Sequence, residues 1–323
     1  MKKLFSIAAI SIAVGILAFA TQARAFSLPD PTSTLPGLGG APASSHHGDF
    51  YSYSLPVLAL NEDIMNASVH GTGPGTPYYV VSTPGAIKDD IVVATGPDGG
   101  PVTDNANSLI DDAYETPNSN GITTFSTITS PDPAPTFTAQ GDTPDTWDIT
   151  LSALNDYLDG GDLIFFFNHN EKDSGGASEQ DLYGWGRVAL VDLEGGLTTE
   201  YFYFANPGIS TPYTQYVPGD DNFVWAPGQL TLGNHTINHN LGANQAAYAM
   251  LSPDLNDMLY DPDFSDFDVM QVELRLRDLS NGYEQLFIQR ADRVTNIIPE
   301  PSSLVLLGTG LLGVFGLIRR KKK

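Results

Sequence analysis

The stretch WDITLSALNDYLDGGDLIFFF, residues 147–167, predicts a helix that runs directly into a buried strand. Its first half carries apolar residues at the spacing of one helix face: Trp147, Leu151, Leu154 and Leu158. Asp145 or Thr146 is the expected helix cap, and Gly160-Gly161 ends the helix because glycine is a poor helix former. The run Leu163–Phe167 has no alternating polar residue, which indicates a strand covered on both faces.

Short apolar segments separated by turn residues extend from this stretch in both directions. Upstream they predict four strands: Val57–Leu60, Tyr78–Val81, Ile91–Thr95 and Thr123–Ile128. Downstream, Arg187–Leu193 and Thr199–Ala205 predict a hairpin. A last hairpin is expected between Val272–Arg277 and Tyr283–Ile288, with its turn at Asn281-Gly282.

Many strands and few helices predict a mainly β ectodomain, built as a sandwich or in a jelly-roll-like way, with one or two short helices. The second helix is expected to begin at Ser252, with Pro253 in its first position. We assign residues 49–293 to this domain. The segment 26–48 before it is rich in Pro, Gly and Ser, and we expect it to be a loosely ordered arm.

The first 25 residues have the three parts of a secretory signal peptide. Lys2 and Lys3 supply the positive start, and Leu4–Ala20 is almost entirely apolar. Ala23 and Ala25 then give the small-residue exit that signal peptidase accepts. We therefore expect cleavage by signal peptidase after Ala25 and export of the rest of the chain.

The chain ends with a stiff tripeptide, a short apolar run and a basic tail. Pro299, Glu300 and Pro301, within a linker at 294–303, form an extended step because proline restricts both its own backbone and the residue before it. Residues 304–318 are uncharged and mostly apolar, and they predict a single transmembrane helix that is barely long enough for a bilayer. The tail 319–323 is entirely Lys and Arg, so we expect it in the cytoplasm with the ectodomain outside.

This ending resembles the PEP-CTERM sorting signal of Gram-negative bacteria, element by element from Pro299 to the basic tail. The resemblance implies that Pro299, Glu300 and Pro301 are recognition residues for an exosortase-like membrane protease. It also implies a protein that is transiently anchored and then reaches the cell surface or the extracellular space. Such proteins are associated with exopolysaccharide and biofilm, so we expect a structural or binding role there. The ectodomain resembles other PEP-CTERM proteins of unassigned function.

The ectodomain is strongly acidic and contains no cysteine. Between the signal and the sorting segment lie 7 Lys and Arg residues and 37 Asp and Glu residues, a formal charge near −30. A surface of this charge excludes nucleic acid as a partner. Because no disulfide can hold this exported domain, its stability must come from its core or from bound ions.

The densest acidic cluster is YDPDFSDFDVM, residues 260–270, with four aspartates: Asp261, Asp263, Asp266 and Asp268. Calcium takes six to eight oxygen ligands, and side chains at alternate positions of a flexible loop can converge on one ion. The cluster lacks the glycine and the final glutamate of an EF-hand loop. It is either a calcium site or a solvated acidic loop, and calcium is the candidate cofactor.

Two other functional classes are compatible with the sequence. Aromatic residues in the middle third indicate a carbohydrate-binding module if they are exposed, or a core if they are buried: Tyr183, Trp185, Tyr201, Tyr203, Tyr213, Tyr216 and Trp225. Asp173–Gly176 resembles the nucleophile loop of trypsin-like proteases, but Lys172 replaces the glycine of that family and no recognisable histidine motif precedes it. We expect no catalytic residues and no enzyme activity, and a secreted hydrolase is the alternative.

We predict that the native host cleaves the chain close to Pro299–Pro301, because this stiff step adjoins a marginal membrane anchor. Mass spectrometry of the mature surface-located protein should find its C-terminus near that step. A surface-located form that still carries Lys323 would contradict this processing.

Overall fold

The computed structural model describes the following residues: 26–66, 73, 76–83, 87, 90–96, 105, 108–117, 122–132, 137–171, 180–207, 222–262, 265–280 and 284–291. Within these ranges the protein is mainly β, with several sheets and three short α-helices. The predicted mainly β class is therefore confirmed. The predicted signal peptide, the Pro-Glu-Pro step, the transmembrane helix at 304–318 and the basic tail lie outside the described residues. No helix in the described ranges is both long enough and apolar enough to cross a membrane.

The described strands, in chain order, are β1 (Thr34–Leu35), β2 (Ala41–Pro42), β3 (Ser45–His47), β4 (Phe50–Ser54), β5 (Ile91–Thr95), β6 (Tyr114–Glu115), β7 (Thr124–Ser126), β8 (Trp147–Thr150), β9 (Asp162–Asn168), β10 (Leu182–Val191), β11 (Glu200–Phe204), β12 (Val224–Ala226), β13 (Gln229–Leu232), β14 (His235–Asn238), β15 (Tyr248–Leu251), β16 (Val269–Arg277) and β17 (Gln285–Ala291). The helices are α1 (Leu55–Met65), α2 (Leu151–Leu158) and α3 (Pro253–Tyr260).

Two large sheets contain most of these strands. In the described part of the chain, sheet I has seven strands in the order β3-β4-β15-β9-β17-β5-β6. Sheet II has six, in the order β11-β10-β16-β7, with β12 also paired to β10 and β8 to β16. Neighbouring strands are antiparallel in both sheets apart from the parallel pair β5–β6. Two small hairpins, β1–β2 and β13–β14, stand apart from them.

The phenylalanine-rich strand β9 lies inside sheet I, between β15 and β17. Phe165 and Phe167 belong to an apolar cluster that contains residues of both sheets, which we call the shared cluster. Ile164 and Phe166 belong to a second cluster, the outer cluster, which includes residues of α1. No residue of Leu163–Phe167 is more than 7% exposed, so the predicted burial on both faces is confirmed.

Two hydrogen bonds join the β3–β4 turn of sheet I to the edge strand β11 of sheet II. The Asp49 N–H, just before β4 of sheet I, donates to the Tyr203 carbonyl in β11 of sheet II at 2.8 Å. In return, the Tyr203 N–H donates to Asp49 Oδ2 at 2.7 Å. Both backbone groups of Tyr203 on the edge strand β11 are therefore paired with Asp49, which closes the edge of sheet II at this point.

Helix α1 occupies the segment in which a strand at Val57–Leu60 was expected, so that prediction is wrong. Ser54 caps the helix, since its Oγ accepts from the Val57 N–H at 3.2 Å, and Pro56 lies in the first turn. The short run VLAL is apolar on all sides and therefore has no strand or helix periodicity of its own. The cap and the proline decide in favour of the helix.

The helix predicted from Trp147 begins later than expected. Trp147–Thr150 is strand β8, which pairs with β16, and α2 starts at Leu151. Thr150 is the cap, with its Oγ1 accepting from the Ala153 N–H at 3.3 Å, so neither Asp145 nor Thr146 has that role. The unpaired edge of β16 supplies backbone partners to residues 147–150, and this tertiary pairing overrides the helical spacing of the side chains.

The last predicted hairpin does not form, because its two strands belong to different sheets. Strand β16 pairs with β10 in sheet II, and β17 pairs with β9 and β5 in sheet I. Both predicted strands do form, as β16 and β17, but a turn signal fixes only a change of direction and not the partner. By contrast, the hairpin of β10 with β11 and the helix capped by Ser252 are confirmed.

The segment 26–48 differs from the expected loosely ordered arm. It contains β1, β2 and β3, and β3 is an edge strand of sheet I. Leu28, Leu35 and Ala43 are buried in the outer cluster, and the Phe26 ring meets the Phe166 ring edge-on at 5.0 Å. These few apolar side chains hold the segment against the sheet despite its Pro- and Gly-rich composition.

Candidate metal centre

Three aspartates come together beside strand β8, although they are far apart in the chain. Asp148 belongs to β8, and the segment containing Asp111 runs alongside it through the bridge between Ile110 and Ile149. The Asp111 N–H donates to the Asp148 carbonyl at 2.9 Å, and the Asp148 N–H donates to Asp111 Oδ2 at 3.2 Å. Backbone pairing thus fixes the two buried carboxylates side by side.

The third aspartate, Asp142, comes from the loop before β8. This loop is held against Asp148, whose Oδ2 accepts from the Thr143 N–H at 2.7 Å and whose Oδ1 accepts from the Thr146 hydroxyl at 2.9 Å. The Tyr114 hydroxyl adds hydrogen bonds to the Pro144 and Thr146 carbonyls, both at 3.2 Å. One carboxylate oxygen from each of Asp111, Asp142 and Asp148 lies within 4.8 Å of the other two.

The electrostatics of this triad are unfavourable without a cation. Burial, and after it the charge of Asp148, raises the pKa of Asp111 to about 8. Burial likewise raises the pKa of Asp148 to about 7, although the hydrogen bonds from Thr143 and Thr146 oppose this rise. The pKa of Asp142 is also raised, by partial burial and then by the charge of Asp132. A divalent cation would remove the mutual repulsion of these carboxylates.

The donor set fits calcium, which prefers carboxylate, carbonyl and hydroxyl oxygens. Asp111 and Asp148 are fully buried, and Asp142 is exposed, so the triad combines a rigid base with an open side. Asp111 Oδ1 is buried and has no hydrogen-bond partner in the described structure. A buried carboxylate oxygen without a donor is costly, and coordination to an ion would satisfy it.

The aspartates predicted from sequence to bind calcium are arranged differently. Asp261 and Asp266 are exposed, and Asp263 lies outside the described residues. Asp268 is engaged by the backbone, since its Oδ2 accepts from the Leu193 N–H at 2.8 Å. Among the described residues, only Asp111, Asp142 and Asp148 bring three ligating groups together. A calcium site at Asp261–Asp268 stays a prediction.

Only a weak signal in the sequence points to the triad, and these aspartates were not predicted as a site. Residues 142–148 read DTPDTWD, with three aspartates among turn-forming Thr and Pro residues just before an apolar segment. The third member, Asp111, lies 31 residues upstream of Asp142 and has no recognisable motif. Its place depends on the bridge between Ile110 and Ile149, which sequence spacing does not reveal.

A second group of carboxyls bears on the hydrolase alternative. Glu171 and Glu284 are buried, at 3% and 0% exposure, and the Ser280 N–H donates to Glu171 Oε2 at 2.5 Å. Burial raises the pKa of both, and the charge of Glu171 raises that of Glu284 further. Glycoside hydrolysis needs two carboxyls on either side of a substrate in an open cleft, whereas these two lie together in the interior. Ser174 and its loop lie outside the described residues.

The aromatic residues of the middle third are divided between core and surface. Trp185 and Tyr203 are buried, whereas Tyr201 is 46% and Trp225 is 48% exposed. Tyr183 is half-buried, with the Arg277 guanidinium 4.6 Å from its ring centroid. Tyr213 and Tyr216 lie outside the described residues. The described rings therefore belong partly to the core and partly to the surface.

A family model described as "Domain of unknown function (DUF8239)" matches residues 33–275, well over half of the chain. The chain belongs to the DUF8239 family. The matched region contains the whole aspartate triad and most of both sheets, and it ends within β16, before β17. No curated protein and no solved structure matches the chain.

A second model, the PEP-CTERM protein-sorting motif, matches residues 298–321. This confirms the resemblance seen in the sequence, and the match includes Pro299, Glu300 and Pro301. The DUF8239 domain is thus joined to a signal for export, for membrane anchoring through the C-terminal region and for processing by an exosortase. The protein is an exosortase-sorted extracellular protein.

We predict that millimolar Ca²⁺ raises the melting temperature of the exported protein at neutral pH by roughly 5–10 °C. This is the rise expected when the free Ca²⁺ concentration is about 100 times the Kd. Asp111→Asn should remove most of this gain. The substitution preserves the acceptor for the Asp148 N–H while removing one ionised ligand, so the fold should survive. Differential scanning calorimetry with Ca²⁺ and with EDTA measures both effects.

Asp266→Asn is the matched control, because Asp266 is an exposed aspartate of the other acidic cluster. It should retain the full calcium gain. If Asp266→Asn lost the calcium-dependent rise in melting temperature and Asp111→Asn kept it, the calcium site would lie at Asp261–Asp268. A melting temperature that responds to neither Ca²⁺ nor EDTA would exclude both sites.

We predict that Glu284→Gln makes stability less dependent on pH. The folded-state pKa of Glu284 is raised well above its usual value of 4.5, so the folded protein binds more protons than the unfolded chain above that pH. Stability must then fall as pH rises from about 4.5 through the raised value, by about 1.4 kcal/mol for each unit of pKa difference. Urea unfolding at several pH values should show a smaller fall for the variant.

Glu194→Gln, which alters an exposed glutamate, should leave this pH dependence unchanged. Equal pH profiles for the wild type and Glu284→Gln would show that the buried pair does not titrate as the structure indicates.

Proposed function

We propose that this protein is a non-enzymatic structural or binding component of an extracellular polysaccharide layer. The observation that carries the proposal is the PEP-CTERM motif at the end of a large acidic β domain. The resemblance to PEP-CTERM proteins implies an association with exopolysaccharide and biofilm. A protein that is released after sorting stays near the cell only if something outside the cell retains it. The matrix itself is the partner that this reasoning favours.

The architecture that we propose for the domain is a β-sandwich, with sheet I facing sheet II. The shared cluster supports this arrangement, since Phe165 and Leu286 of sheet I and Val188 and Val272 of sheet II all belong to it. The bonds between Asp49 and Tyr203 join the two sheets at one edge. Calcium at the aspartate triad would stabilise this sandwich outside the cell, where disulfides are absent.

A carbohydrate-binding module is the second candidate, favoured by two exposed aromatic rings on the outer face of sheet II. Trp225 pairs with Tyr183, and Tyr201 pairs with Ala189 on the same strand β10. Paired residues share a face, so the two rings lie about 20 Å apart along β10 on one surface. Exposed rings of this kind are suited to contact with sugar rings of an extended chain.

We predict that the protein stays in the extracellular matrix of its native host and is lost to the medium when exopolysaccharide synthesis is deleted. Immunoblots of the matrix and medium fractions measure this distribution. An equal distribution in both strains would contradict a matrix role.

A double variant, Tyr201→Ala with Trp225→Ala, separates the two candidates. If the rings bind sugar, the variant should appear in the medium of the wild-type host, because stacking on the rings is lost. If the domain is held by other surfaces, the variant should stay in the matrix. Ile122→Ala, which removes another exposed apolar side chain, is the control and should be retained. Release of reducing sugars by the purified protein would contradict the non-enzymatic role.

A further inference from the structure

A cavity of about 90 Å³ is lined by residues of both large sheets. Phe165, Phe167 and Met250 line it from sheet I, and Val188 and Leu274 line it from sheet II. Among the described residues that line it, nearly all are apolar or glycine, and the polar ones are Ser52, Arg187 and Glu273. The cavity is therefore suited to an apolar occupant.

Two glycines of strand β10 create this space. Gly184 and Gly186 alternate with outward-facing residues and share a face with Leu182 and Val188, which belong to the shared cluster. Both glycines line the cavity. Side chains at these two positions would otherwise occupy the middle of the inner face of sheet II.

None of the usual structural reasons for glycine in a strand applies here. Neither Gly184 nor Gly186 has a positive φ. The pairing of β10 with β16 runs without interruption from Tyr183 to Val191, so there is no bulge. A Cβ at Gly184 would come no closer than 3.6 Å to another atom, and one at Gly186 no closer than 3.7 Å, so no neighbouring group requires their absence.

Bulky residues on the neighbouring strands flank Gly184 and Gly186 and form a slot, which we call the glycine slot. Gly186 lies between Phe204 and Leu274, and Gly184 lies between Val224 and Leu276. Bulky side chains thus stand on both sides of a short row without side chains. Two residues of strand correspond to about 7 Å, so the length of the slot is that of one small ring.

We propose that this glycine slot is a binding site for a small apolar molecule, of the size of a single hydrocarbon ring. An apolar cavity of about 150 Å³ in a protein interior binds benzene, and the volume of this slot is of the same order. Glycine inside a strand costs stability relative to residues with side chains, and a bound molecule would restore the missing contacts. Close approach of a ligand is a further reason for glycine in a strand, and the geometry here allows it.

Partly exposed lining residues mark the way into the slot. Ser52, Met250 and Phe204 line the cavity and are half-buried. Phe165, Val188 and Leu274, which also line the cavity, are buried members of the shared cluster. A small molecule can therefore enter beside Phe204 without unfolding of either sheet, and only local side-chain motion is needed.

The experiment uses benzene as the probe and the processed, exported protein in aqueous buffer. Methyl-resolved NMR during a benzene titration should show saturable shifts confined to Val188, Val224, Val272, Leu274 and Leu276. The double variant Gly184→Ala with Gly186→Ala should weaken binding by about tenfold or more, because two methyl groups occupy the space of the probe. The variant should melt at the same or a higher temperature than the wild type, since both methyl groups fit.

Thr124→Val is the control, because Thr124 is an exposed residue of sheet II that pairs with Arg277 on the opposite face. It should bind benzene as the wild type does. Absence of saturable shifts in the wild type would overturn the proposal. Undiminished binding by the folded double alanine variant would overturn it as well, because the probe would then lie elsewhere.

Discussion

Burial of strand β9 on both faces is the constraint on which the rest of the domain depends. Phe165 and Phe167 belong to the shared cluster, and Ile164 and Phe166 belong to the outer cluster. The start of the strand is also fixed, because Asn256 of α3 accepts from the Leu163 N–H at 2.7 Å and donates to its carbonyl at 3.1 Å. A polar residue on either face of β9 would place an unsatisfied polar group inside one of the two apolar clusters, which would destabilise the fold.

The strong negative charge of the domain is the second constraint. Much of it lies at the surface, where it keeps an exported protein soluble. Asp111 and Asp148 of the triad and the pair Glu171 and Glu284 are buried instead, and burial raises the pKa of all four carboxyls. The two groups differ in their surroundings. The triad has an exposed member and a carboxylate oxygen without a donor, which suits an ion, whereas the glutamate pair is enclosed.

Predictions that depended on local interactions were more accurate than those that depended on contacts between distant segments. The hairpin of β10 and β11 was predicted correctly because its turn is local, and Asp192 stabilises it by accepting from the Glu194 N–H at 2.8 Å and the Leu197 N–H at 2.6 Å. The proposed pairing of β16 with β17 was wrong because the partners of a strand are chosen by whole-sheet packing. The strand at Val57–Leu60 was wrong because a short apolar run has no periodicity to distinguish helix from strand.

The amino-acid sequence by itself determined where this protein goes and the class of its fold. A sorting signal is read as a linear segment, and a run such as Leu163–Phe167 specifies a buried strand without reference to its partners. Only the tertiary structure decided the two candidate sites. Asp111 meets Asp142 and Asp148 through strand pairing across 30 residues or more, and the glycine slot exists because bulky residues of β11, β12 and β16 flank β10. Both sites depend on contacts between segments distant in the chain, and local sequence spacing does not encode such contacts.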